Sequence, residues 1–216
     1  MFTPKDSISA PIIPTAKLPA EEHAAANDLS QALQVFYDQP NQYYYSLDLF
    51  QFSKWRVLEI LKGNVSKAGA EKGPSFKGWM HIGVEHGAIK ARDFCTALFV
   101  VNKERKKCPS VDRLIPGKEI NAIIDRVTSW FPKEQTKGSR DAAAHTADMS
   151  NTIGRNAVKD NDGSMFMSSM IENDTLVSTV DGKEVRHRLC EENLGFMREV
   201  VSDVNALITG AISQMK

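Results

Sequence analysis

From Ala20 onward the apolar residues recur every three or four positions, the repeat of an amphipathic helix. Leu29, Leu33, Phe36 and Tyr37 share one side of a first helix, which Pro40 is expected to end because proline lacks the N–H of a helix interior. Leu47, Phe50, Lys54, Leu58 and Leu61 repeat the spacing in a second helix closed by Gly63. Residues 63–75, "GNVSKAGAEKGPS", read as a loop without the Gly-x-x-x-x-Gly-Lys pattern of a phosphate cradle. The longest periodic segment is 76–103, where Phe76, Trp79, Met80, Gly83, Val84, Gly87, Ala88, Ala91, Phe94, Cys95, Leu98 and Phe99 form one stripe. Its slim middle, Gly83 to Ala91, predicts close approach of another helix. "CPSVDRLIPG" reads as a connection, 118–131 as a helix stopped by Pro132, and about 134–150 as a further helix.

The pattern then changes. "SMFMSSMIENDTLVSTVDGKEVRHRL" holds β-rich runs parted by "END" and "VDGK", which predicts a small antiparallel meander within about 163–190. A last amphipathic helix follows, with Leu194, Met197, Val201, Val204, Ile208 and Ile212 inward. At the other end, Pro4, Pro11, Pro14 and Pro19 predict an extended arm over 1–19. The expectation is a mainly α fold: one helical domain over 20–216 with a β insertion before its last helix.

Charge narrows the partners. The 216 residues hold 27 Lys and Arg against 27 Asp and Glu, so no global field draws the chain to nucleic acid or membrane. RNA binding would need a local basic patch. "NKERKK" at 102–107 is the densest such run, and it reads better as a solvated helix end with cations near the C-terminal dipole. Cys95, Cys108 and Cys190 are odd in number and scattered, as expected of reduced thiols in a cytoplasmic protein. The sequence shows neither a secretory signal nor a long apolar span, so no membrane association is expected.

Little conventional chemistry is legible. In "HIGVEHG", His81 and His86 are five apart, about 140° around a helix, so they do not pinch one metal ion. Cys95 sits on the apolar stripe, and no Gly-x-Ser-x-Gly elbow is present. The sequence assigns no metal and no cofactor. The exception is "GSRDAAAHTAD" at 138–148. On a helix Asp141 and His145 share a face one turn apart, so the carboxylate can orient the imidazole and favour its charged form. Arg140 forks toward phosphate oxygens. A phosphate clamp beside a proton-transfer group suits cleavage of an RNA backbone; the same residues also suit a structural hydrogen-bond network.

A "WFP" break, a short polar connection and "RDAAAH" opening a late helix resemble the HEPN (higher eukaryotes and prokaryotes nucleotide-binding) superfamily. More narrowly, the chain is similar to bacterial HEPN-like proteins of unassigned function, through the slim helix "GVEHGAIKARDF", the Phe-Pro and the hairpin before the last helix. The resemblance covers about residues 20–215. It implies an antiparallel helical bundle that forms a twofold homodimer with two motifs facing one cleft. It implies a metal-independent endoribonuclease of a toxin–antitoxin, phage-defence or RNA-processing system, with RNA and a protein partner or antitoxin as ligands. Arg140 would hold phosphate, Asp141 would support the site and His145 would be the acid/base. The alternative from another class is a non-catalytic interaction or regulatory module.

Overall fold

The structure, a computed structural model, describes residues 9–133, 170–172, 174–180 and 183–215. It is mainly helical. The helices are α1 (His23–Leu61), α2 (Lys67–Ala70), α3 (Gly73–Lys106), α4 (Pro109–Asp112), α5 (Gly117–Trp130) and α6 (Glu191–Gln214). A three-stranded antiparallel sheet precedes the last helix: β1 (Met170–Glu172), β2 (Thr175–Val180) and β3 (Lys183–Arg188), in spatial order β1-β2-β3. No described helix is long and apolar enough to cross a membrane.

Three boundaries differ from the sequence expectation. Pro40 does not end the first helix: α1 runs through it to Leu61. The apolar face continues on both sides of the proline (Phe36 and Tyr37 before, Tyr43, Leu47 and Phe50 after, all buried), and that burial outweighs the missing hydrogen bond. Gln39 Nε2, just before the proline, bonds the Val35 carbonyl at 3.0 Å, one residue short of the Phe36 carbonyl whose helical donor Pro40 lacks. The 63–75 loop contains the single turn α2, whose N-cap Ser66 accepts from the Gly69 N–H at 3.3 Å, and α3 begins at Gly73. The "CPSVDRLIPG" connection holds the single turn α4.

The chain divides into two compact units. The first comprises residues 1–41, 93–132 and 194–216. Its core stacks Phe36 on Phe94, with ring centroids 5.0 Å apart, and sets Phe131 edge-on to both Phe94 and Phe196. Arg126 of α5 bridges to Glu199 and Asp203 of α6, and Tyr37 Oη donates to Asn205 Oδ1 at 3.1 Å. The described part of the N-terminal arm is packed down: Ile13 and Leu18 are buried, the Ile13 N–H bonds Ser30 Oγ, and Lys17 Nζ bonds the Met215 carbonyl.

Within this unit Glu22 tethers α4 from outside. Its carboxylate accepts from the Ser110 N–H (2.9 Å), Ser110 Oγ (2.9 Å) and the Cys108 thiol (3.1 Å). Burial pushes the carboxyl's pKa upward, but these donors together with the Arg113 charge outweigh it and hold the group below the usual carboxylate range. Cys108, buried and bonded to an anion, is held protonated, its pKa raised to about 11. Glu22→Gln turns an amide N–H₂ toward one of these donors, so the midpoint of urea unfolding should fall by the equivalent of about 2 kcal/mol. An unchanged midpoint would show the tether to be dispensable.

The second unit comprises residues 42–92 and 133–193. Two-residue links join the strands: β1 and β2 pair from Glu172↔Thr175, with Asp174 in the left-handed region (φ 67°) that aspartate tolerates. The Val180↔Lys183 pair of β2 and β3 brackets Asp-Gly, the strongest short hairpin signal. Tyr43 is the polar hub. Its buried hydroxyl donates to the Arg188 carbonyl and accepts from the Cys190 N–H and Asn193 Nδ2, each at 3.3 Å. Burial also raises its pKa. Ala88 and Ala91 are buried, and the slim seam is filled by the chain itself. A Cβ at Gly83 would lie 3.0 Å from both the Phe50 nitrogen and the Ser46 oxygen of α1, and one at Gly87 would strike Leu189. The seam therefore serves internal packing, and its small residues are no argument for dimerisation.

Candidate nucleic-acid interface

Arg140, Asp141 and His145, the predicted catalytic set, lie outside the described residues. The basic run 102–107 is described, and two of its four cations are committed to structure: Arg105 is buried and pairs with Asp112, while Lys107 pairs with Glu104 of its own helix. Lys103 and Lys106 are exposed, and no cation–π contact joins either to an aromatic ring among the described residues.

His81 is exposed, whereas His86 Nδ1 meets Ser46 Oγ at 2.7 Å. The Ser46 hydroxyl hydrogen is directed to the Gln42 carbonyl at 2.9 Å, so His86 is the donor to Ser46. A serine that accepts from histidine and is almost wholly buried is no nucleophile; the pair is packing at the α1–α3 crossing. Among the described residues no group of three His, Cys, Asp or Glu side chains is placed to hold a metal ion.

The tip of the α1–α3 hairpin, residues 51–82, is different. Four aromatic rings run in series across it. Trp55 lies 6.1 Å from Phe52, Phe52 lies 6.2 Å from Phe76, and Phe76 lies 5.3 Å from Trp79. Phe76 is buried and anchors the row, while Trp55, Phe52 and Trp79 are exposed by 51, 47 and 43 %. Arg56 sits among them, its guanidinium carbon 5.4 Å from the Trp55 centroid and 5.2 Å from that of Phe76. Helical spacing makes the row: positions 55 and 56 of α1 follow 52 by three and four residues, and 79 of α3 follows 76 by three.

The charge of the tip is one-sided. Residues 51–82 contain Lys54, Arg56, Lys62, Lys67, Lys72 and Lys77 against Glu59 and Glu71. Lys54 pairs with Asp174 at 2.6 Å and Lys62 with Glu59 at 3.5 Å. Arg56, Lys67, Lys72 and Lys77 have no ion pair among the described residues. Exposed indoles next to unneutralised cations are unusual on a surface without a ligand. Chemically the tip offers faces for stacking and charges for phosphate.

The sequence reading placed Trp79 on the apolar stripe of 76–103 and Leu58 and Leu61 in the periodic row of the second helix, and all three are exposed, Leu61 by 75 %. The apolar face of each helix rotates out of the core as the hairpin nears its end. The signal that was present and unused is compositional: aromatic and basic residues alternate through "FSKWR" and "FKGWM". No protein-family model, curated protein or solved structure matches the chain.

Proposed function

We propose that this protein binds single-stranded RNA, with Trp55, Phe52 and Trp79 as a stacking platform and Arg56, Lys67, Lys72 and Lys77 as phosphate contacts. The observation that carries the reading is the exposed aromatic row with a cation in it, on a chain whose net charge is zero. Stacking on such a row is tolerant of sequence, and four cations give a moderate salt dependence. The HEPN resemblance adds an endoribonuclease reaction. Arg140 would stabilise charge on phosphorus, His145 would move the proton of the ribose hydroxyl, Asp141 would orient the imidazole, and no metal would take part. The same resemblance proposes a twofold homodimer, which light scattering would report.

The test is titration of a labelled single-stranded RNA of about 12 nucleotides, a length within the usual platform site. Trp79→Ala should weaken binding about tenfold, as one lost stack does, while circular dichroism shows the fold retained. The slope of log affinity on log salt should be about −2 to −3, and Lys67→Ala with Lys72→Ala should make it shallower. Binding that is unaltered by the Trp79 substitution would exclude the platform. Incubating the RNA with wild type and His145→Ala in chelator separates the two functional classes. Cleavage by wild type alone supports the nuclease, and binding without cleavage assigns the non-catalytic module.

A further inference from the structure

The exposed ring row does not stop at Phe52. Tyr45 stands seven residues earlier on α1, two turns back and on the same face, and is exposed by 57 %. At the α-helical rise this carries the row about 10 Å beyond Phe52, away from the tip. The Tyr45 ring meets that of Tyr44, with centroids 5.6 Å apart and planes tilted by 59°. Both residues belong to the second unit, as does the whole aromatic tip.

The chemistry of this extension differs from that of the tip. Residues 42–53 contain no lysine or arginine, so this stretch of α1 offers no charge to a phosphate. The one charged side chain in it is Asp48. Asp48 is exposed and has neither an ion pair nor a hydrogen bond among the described residues. It follows Tyr45 by three residues and precedes Phe52 by four, so its Cβ lies about 5–6 Å from theirs. A base stacked beside it brings an edge within reach of the carboxylate.

On a surface that receives a polyanion, a bare carboxylate repels the backbone, and only a donating base edge offsets that repulsion. An ionised carboxylate accepts through two oxygens side by side and donates nothing. Guanine fits, because N1–H and the N2 amino group are adjacent donors on its Watson–Crick edge. Adenine and cytosine offer one amino group next to a ring-nitrogen acceptor, and uracil one N–H between two carbonyls. Each of these sets a lone pair against the second carboxylate oxygen. We propose that Asp48 reads guanine: the base stacks on Tyr45 and donates N1–H and N2–H to the two Asp48 oxygens, while the neighbouring phosphates lie on the cations of the tip. The inference rests on the single-stranded RNA reading above and adds to it a base preference and two residues, Tyr45 and Asp48.

Fluorescence anisotropy of the full chain with labelled strands of about 12 uridines tests this, one central position carrying guanosine, inosine, adenosine or uridine. Wild type should bind the guanosine strand about tenfold more tightly than the adenosine and uridine strands, as one bidentate pair does. Inosine, which keeps N1–H and lacks the amino group, should fall between. Asp48→Asn should level the affinities, because an amide with one acceptor beside one donor finds a match on every base. It should leave the all-uridine strand bound as well as before or better. Tyr45→Ala should weaken the guanosine strand about tenfold through the lost stack. Circular dichroism confirms that both variants keep the fold. Equal affinity for the four strands, or a guanosine preference that survives Asp48→Asn, overturns the proposal and leaves the stacking platform standing. Failure of wild type to bind any of the strands removes the platform, and this inference with it.

Discussion

Taking the protein from neutral pH to about pH 4 is expected to remove about 3 kcal/mol of stability through one side chain, His187. β3 turns His187 inward with Val185, Leu189 just after the strand is buried as well, and the His187 ring stands edge-on to Tyr43 with centroids 6.3 Å apart. Its Nε2 is buried without a hydrogen-bond partner. Burial alone lowers the imidazole from 6.5 to about 4, because no acceptor stabilises the charged form. In the unfolded chain the same ring takes a proton near its ordinary pKa. The stability it confers is therefore complete above 6.5, is lost as pH falls through the interval from 6.5 to about 4, and changes no further below it. Glu22 acts lower on the scale. Its native pKa is depressed, so its contribution is present above 4.5 and disappears as pH falls through the depressed value. Denaturant unfolding of wild type and His187→Leu across this range separates the two. The variant should lose the slope between 6.5 and 4 and keep the acid limb. Superimposable profiles for the two proteins would show that His187 is not buried neutral.

Gly83→Leu should be comparably damaging, lowering unfolding free energy by about 3 kcal/mol or preventing accumulation of folded protein. The reason is what surrounds the position. A Cβ there meets the backbone nitrogen of Phe50 and the backbone oxygen of Ser46 at 3.0 Å, and the Phe50 Cβ at 3.1 Å. Main-chain atoms of a packed helix do not swing aside, so α1 and α3 would have to part along their length. Gly87 gives the internal control. An added Cβ there meets the methyl end of Leu189, a flexible side chain that can change rotamer, so Gly87→Ala should cost well under half as much. Melting curves of the two variants decide the matter; equal losses would contradict the account of the crossing.

Helical periodicity made most of the fold legible, and it failed where one local rule met a stronger tertiary demand. Pro40 was a sound stop signal on its own terms. The chain overrides it because Phe36 and Tyr37 on one side and Tyr43, Leu47 and Phe50 on the other bury more surface in one continuous helix than in two. The meander was readable because turn residues bracket it: Asp174 in the left-handed region and Asp-Gly between Val180 and Lys183. The slim stretch at Gly83 was recognised as a close approach, but sequence does not say whether a small residue faces its own chain or a second copy. The aromatic tip was missed for a related reason. Periodicity marks Trp79 as apolar and on the stripe, and only three-dimensional placement shows that the stripe has left the core there. His187 shows the converse: an isolated histidine with no sequence partner whose burial comes wholly from strand alternation. The Arg140-Asp141-x-x-x-His145 set remains a reading of the sequence, resting on residue types and spacing.

The stack of Trp130 on Phe196, centroids 4.4 Å apart and planes 8° from parallel, has an optical consequence. The chain contains three tryptophans, and the other two, Trp55 and Trp79, both stand in the exposed row at the hairpin tip. Phenylalanine in place of Trp130 preserves the flat ring-on-ring contact while removing the one indole outside that row. The remaining indole emission then comes from the tip alone, and any molecule that settles its own π-face on Trp55 or Trp79 quenches it. The protein thereby becomes its own fluorometer, reporting occupancy of that surface with no dye attached.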